Sequence, residues 1–118
     1  MHELSITRNV VAIVCERAAG QRVTRVRLAI GKLSAVMPEA IRFCFGICAE
    51  GTPLAAATLQ IDEIPGRGRC TACQGEVELK ELVGRCPDCG AAGLTLIAGQ
   101  EMLIREFEFA EKETEPCA

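Results

Sequence analysis

Tryptophan and tyrosine are absent from this sequence, phenylalanine occurs four times, and His2 is the sole histidine. Without aromatic faces there is no platform on which unpaired bases would stack. With one imidazole there is no second histidine for acid–base work. Positive charge is also short: 13 Lys and Arg stand against 16 Asp and Glu, a net charge of −3, which gives no general attraction to phosphate backbones. The expectation is therefore no nucleic-acid partner. No run of about 18 apolar residues exists, so a membrane span is not expected. The N-terminus lacks a basic region followed by an apolar core and a small-residue cleavage site, and reads as that of a cytoplasmic protein. Nor is there a Gly-rich phosphate loop. Nothing in the chain suggests catalysis.

What is present fits a small globular domain. The chain has 118 residues, 49% of them hydrophobic and 25% charged, enough for one core. Leu4, Ile6, Val10, Val11, Ile13, Val14 and Ala18 recur at three- and four-residue steps and predict an amphipathic helix that Gly20 ends. Alternation follows, with Val26, Leu28 and Ile30 on one face of a strand and Arg25 and Arg27 on the other. Pro38 and Glu39 open a second helix with an apolar face of Ile41, Cys44, Phe45 and Cys48. Leu59 and Ile61 mark a second strand, and β-prone residues from Leu94 to Phe109, broken near Gly99-Gln100, are expected to return to the same sheet. The reading is α+β: two helices on a three-stranded sheet with an inserted four-cysteine zinc ribbon. Residues 1–65 and 94–110 would form one domain and residues 66–93 the ribbon, with an acidic tail at 111–118.

The ribbon rests on cysteine spacing. Eight cysteines in a reducing compartment point to metal or buried packing rather than disulfides. Cys70-Thr-Ala-Cys73 and Cys86-Pro-Asp-Cys89 are two CxxC pairs, and a two-residue gap lets both thiolates of one turn reach a single ion. Four thiolates close a tetrahedron around zinc, and a closed site is structural. The insert carries few apolar residues, so a metal must organise it. Gly75 and Gly90 follow the knuckles, where a positive φ is expected. Basic residues Arg67, Arg69, Lys80 and Arg85 are matched by acidic Glu76, Glu78, Glu81 and Asp88, leaving no footprint for nucleic acid. Cys15, Cys44 and Cys48 fall within helical patterns and read as small buried residues, while Cys117 lies in the polar tail.

The other candidate site is the N-terminus, Met1-His2-Glu3. The Met1 amine, the His2 amide nitrogen and the His2 imidazole can close chelate rings on one metal, with Glu3 beside them. Such nitrogen donors favour Ni(II) or Cu(II). The opening MHELSI, the passage from Ile30-Gly-Lys-Leu-Ser to Pro38-Glu-Ala-Ile-Arg-Phe, the paired knuckles and Gly99-Gln-Glu-Met-Leu-Ile together resemble the HypA/HybF family of hydrogenase maturation factors. The resemblance covers nearly the whole chain.

It implies a nickel metallochaperone that serves the large subunit of [NiFe]-hydrogenase with a HypB-type GTPase as partner. It also implies that His2, Glu3 and Met1 hold nickel as cargo and that Cys70, Cys73, Cys86 and Cys89 hold structural zinc. Glu39, at the start of the second helix, is a remote nickel donor if that helix packs beside the terminus; otherwise it is a first-turn dipole partner. The alternative class is a zinc-ribbon adaptor that binds a protein or nucleic acid without carrying metal.

Overall fold

A computed structural model describes residues 2–81 and 84–110 of the chain; Met1, Leu82, Val83 and 111–118 lie outside the described residues. The expected acidic tail and Cys117 therefore fall outside them as well.

The first helix, α1, spans His2–Ala18. Val10, Val11, Val14 and Ala18 are buried, as their spacing demands, but Ile13 is 45% exposed and Thr7 takes a core position. Thr7 is tolerated there because its hydroxyl donates to the Glu3 carbonyl oxygen one turn back, 2.7 Å away. Ala19 and Gly20, both with positive φ, then stop the helix.

Strand β1, Val23–Gly31, is the centre of the first sheet. Helix α2, Pro38–Cys48, leads from it to β2, Thr58–Ile64, which runs parallel to β1, as a helical crossover allows. Val23, Val26, Leu28 and Ile30 are at most 1% exposed and pack against α1 and against Ile41 and Phe45 of α2. The opposite face is polar: Arg25 pairs with Glu106 and Glu108, and Arg27 with Asp62 and Glu106. These pairs are partly solvated, so each adds little to stability.

The second sheet contains β3, Gly66–Cys70, between β4, Glu76–Leu79, and β5, Leu94–Ala98, all antiparallel. Its apolar cluster is small: Cys70, Val77 and Cys86, backed by Leu79, Ala91 and Leu94. Here the sequence reading needs correction. Leu94–Ala98 does not return to the first sheet but pairs with β3; only β6, Met102–Phe109, joins β1, antiparallel. The break at Gly99 is where the chain changes sheets. Gly99 has φ +117, which only glycine adopts readily, and its backbone lies against Gly66 and Leu33. There are thus two three-stranded sheets in the α+β fold, β2-β1-β6 and β4-β3-β5.

The sheets meet where β2 passes into β3 and β5 into β6. Lys32 N–H donates to Ile64 O at 2.8 Å, Leu33 N–H to Gly99 O at 2.7 Å, and Gly31 N–H to Glu101 O at 2.8 Å. A Cβ on Gly31 would sit 2.0 Å from the Gly99 oxygen, so backbone meets backbone without room for a side chain. Gly46, inside α2, has nothing within 4 Å of the same position. Urea unfolding should therefore show Gly31→Ala losing about 3 kcal/mol through overpacking. Gly46→Ala should gain about 0.5–1 kcal/mol from helix propensity and reduced freedom of the unfolded chain. Equal effects would refute the close-packed junction.

Candidate metal centres

The two CxxC knuckles have the same backbone construction. In the first, Gln74 N–H donates to Cys70 O at 2.8 Å, and Cys70 N–H to Gly75 O at 2.9 Å. In the second, Gly90 N–H donates to Cys86 O at 2.8 Å, and Cys86 N–H to Ala91 O at 2.9 Å. Each knuckle thus closes a tight turn whose residue just after the second cysteine is left-handed: Gln74 at φ +64 and Gly90 at φ +75. The positive φ expected at Gly75 is borne instead by Gln74.

The turns bring all four sulfur atoms within 4.8 Å of one another. Cys70 Sγ lies 3.4 Å from Cys89 Sγ, and Cys73 Sγ lies 3.8 Å from Cys86 Sγ. A tetrahedral ion with metal–sulfur bonds of about 2.3 Å requires sulfurs about 3.8 Å apart, so the set fits an ion such as zinc. Cys70 and Cys86 are buried and Cys73 and Cys89 exposed, so the ion would be shielded on one side.

The same closeness governs protonation. The backbone N–H of Cys73, with that of Ala72, helps draw the Cys70 thiol down to about 7. At Cys89 the Ala91 N–H also acts downward, but burial and the neighbouring Cys70, Cys86 and Cys73 sulfurs outweigh it and push that thiol up to about 12. Cys73 is raised as well: the Gly75 N–H lowers it, but Cys70, burial and Cys86 prevail. Like charges this close cannot all ionise alone, whereas a divalent cation permits four thiolates and releases the remaining protons.

Outside the ribbon, His2 is exposed in the first turn of α1. The opening N–H groups of a helix have no intrahelical acceptor, so metal capture of the His2 amide nitrogen would break no helix hydrogen bond. Glu3 reaches across to the second helix: its Oε2 accepts from the Met37 N–H in a long, exposed contact of 3.4 Å. Its carboxyl is held below the usual range, first by its own backbone N–H, then by Met37, with His2 adding. This contact brings the start of α2 beside the start of α1 and leaves Glu39 exposed in that first turn.

Among the described residues the four cysteines are the only group of three or more His, Cys, Asp or Glu side chains whose ligand atoms converge. His2, Glu3 and Glu39 do not make such a group, and Met1 lies outside the described residues. Sequence reasoning misses the Met37 contact, although a signal is there: the residue before a proline is pushed to extended backbone, and Met37 has φ −90 and ψ 114.

Comparison with known proteins supplies the context. A family profile described as HypA, hydrogenase/urease nickel incorporation, metallochaperone, matches residues 1–109. A hydrogenase maturation factor HypA of Nostoc punctiforme is 58% identical over 111 residues, covering 94% of this chain and 97% of that protein. One from Geobacter sp. strain M21 is 49% identical over 108 residues, covering 92% and 98%. The fold is similar to the solution structure of the Ni metallochaperone HypA from Helicobacter pylori, with TM-score 0.63, 23% identity, and coverage of 91% and 96%. A second HypA solution structure gives TM-score 0.69 at 24% identity, covering 93% and 97%.

Two outcomes follow from the four-sulfur geometry. Stripping metal with a chelator at pH 7 should speed amide exchange across β3, β4 and β5 while β1, β2 and β6 stay protected, because the second sheet has few apolar contacts to fall back on. Unchanged protection in both sheets would show that no metal organises the knuckles. Gln74→Gly should stabilise the metal-bound protein by about 1 kcal/mol in chemical denaturation by relieving a left-handed side chain, and a loss of stability would contradict that strain.

Proposed function

The chain belongs to the HypA family of hydrogenase maturation factors and nickel-incorporation metallochaperones, which is not an enzyme family, and we propose that it carries Ni(II) on its N-terminus into the large subunit of [NiFe]-hydrogenase. The observation that carries this reading is the pairing of an exposed His2, in a first helix turn whose N–H groups have no intrahelical acceptor, with a neighbouring Glu3 carboxylate that contacts the Met37 N–H. His2 supplies the imidazole and amide nitrogens, Glu3 is a ligand or tuner, and the Met1 amine completes the chelate. Glu39, in the first turn of α2, is the remote donor, consistent with the two helix starts lying together.

The four cysteines then hold structural zinc. We draw the ribbon unit as residues 66–98 rather than 66–93, because β5 pairs with β3; residues 2–64 and 102–109 form the nickel-bearing unit. Nothing in either site performs chemistry on a substrate, so the energy for handover comes from a HypB-type GTPase acting in the cytoplasm. Among the described residues no helix is long and apolar enough to cross a membrane.

A carrier must hold nickel against water yet surrender it, and an exposed helix start meets both needs: its donors are adjacent in sequence, and release disturbs no core residue. Copper exceeds nickel in intrinsic affinity for such donors, so selectivity falls to metal supply and partner handover.

Calorimetric titration of zinc-loaded, untagged protein should give one nickel per chain with Kd of about 1 μM or tighter. His2→Gln should abolish it while zinc is retained, and an N-terminal tag should do the same. Equal nickel binding in wild type and variant, or none in either, would instead favour a ribbon adaptor that carries no metal.

A further inference from the structure

Two sulfur–sulfur hydrogen bonds run between the knuckles: Cys70 Sγ to Cys89 Sγ at 3.4 Å, and Cys73 Sγ to Cys86 Sγ at 3.8 Å. Each joins a buried cysteine to an exposed one, since Cys70 and Cys86 are buried while Cys73 and Cys89 are exposed. A tetrahedral ion needs no such pairing, because all four sulfurs stand alike around it. The pairing and the division of exposure are thus left unused by the zinc reading.

Thiol chemistry gives them a use. An oxidant arriving from solvent meets the exposed sulfur of each pair first, and the buried sulfur in contact with it is placed to resolve the oxidised product. A disulfide holds its sulfurs about 2 Å apart, so each pair has less than about 2 Å left to close.

We propose that the ribbon is an oxidation site for hydrogen peroxide, at which Cys89 and Cys73 react first and Cys70 and Cys86, each from the opposite knuckle, resolve them as the disulfides Cys70–Cys89 and Cys73–Cys86. In each pair the exposed sulfur attacks a peroxide oxygen and the O–O bond breaks, giving a sulfenic acid and a water that carries off the thiol proton. The buried sulfur then attacks the sulfenic sulfur, the S–O bond breaks and a second water leaves. Two thiols are oxidised and one peroxide is reduced to two waters. The outcome differs from that of a redox CxxC pair, in which a link joins residues three apart within one knuckle and leaves the knuckles untied. Links across 19 and 13 residues tie the knuckles together and restrict the unfolded chain, so they hold the second sheet in place of an ion. With no thiolate left as a donor, the oxidised ribbon takes up zinc only after reduction.

The test treats the full chain, purified with its zinc and assayed for zinc content beforehand, with hydrogen peroxide at pH 7. Remaining thiols are capped with N-ethylmaleimide and the chain is digested with trypsin without reduction. Cleavage after Arg69, Lys80, Arg85 and Arg105 separates the Cys70–Lys80 peptide from the Cys86–Arg105 peptide. Mass spectrometry should find them as one linked species, four hydrogens lighter than the two reduced peptides together, and electron-transfer fragmentation should assign Cys70 to Cys89 and Cys73 to Cys86. Amide exchange of the oxidised chain in chelator should stay slow across β3, β4 and β5, unlike that of the reduced, stripped chain. Separate peptides each lighter by two hydrogens, the pairing Cys70–Cys86 with Cys73–Cys89, links to Cys15, Cys44 or Cys48, no disulfide at all, or fast exchange in the oxidised chain would each overturn the site. A chain that holds no zinc at the outset would count against the zinc reading, while the linkage pattern still decides this one.

Discussion

Four thiols within 4.8 Å of one another form the constraint on which the second half of this molecule depends. Without a cation the thiols share their protons unequally: the Cys73 and Ala72 N–H groups draw Cys70 down, and Cys89, bonded to the Cys70 sulfur and partly desolvated, is pushed up. A divalent cation turns the same closeness into cohesion. The second sheet has little else to hold it, since its buried apolar cluster amounts to two of those cysteines and Val77, with a few partly buried neighbours. A metal held by four cysteines placed where a hydrophobic core would otherwise be needed would couple folding of this half to metal binding. The first sheet is built differently: the apolar face of β1 is buried beneath both helices, so its stability comes from apolar burial.

Much of this was legible in the sequence because the signals were local. CxxC spacing, the three- and four-residue periodicity before Gly20, the alternation after Val23 and the Pro-Glu start of α2 each depend on residues within a turn or two of one another. The assignment of Leu94–Ala98 was not local. Its β-propensity is like that of Met102–Phe109, and which strand it pairs with is decided by the Gly31, Gly66 and Gly99 backbone packing, which brings together residues far apart in the chain. Gln74 was hidden for another reason: glycine marks a left-handed position in sequence, whereas glutamine at φ +64 is held there by the turn that closes the first knuckle. At the N-terminus the residue types could be read, but the tie between Glu3 and Met37 depends on how two helices pack.

The proposed division of labour follows from where each donor set sits. Nitrogen and carboxylate donors occupy an exposed helix start, where binding and release cost no core contact, and sulfur donors occupy paired turns whose backbone hydrogen bonds fix them in advance. Between the two sheets lies a junction where the backbones of Gly31, Gly66 and Gly99 and the buried Leu33 side chain pack closely, so the sheets are joined by close contact rather than by a slack linker. In this account the ribbon holds its metal permanently and the terminus holds its metal in transit.

X-ray absorption at the nickel and zinc edges of one doubly loaded sample tests this separation most directly. The account predicts nickel surrounded only by nitrogen and oxygen, and zinc surrounded by four sulfurs at about 2.3 Å. Sulfur in the nickel shell, or nitrogen and oxygen in place of sulfur around zinc, would contradict it.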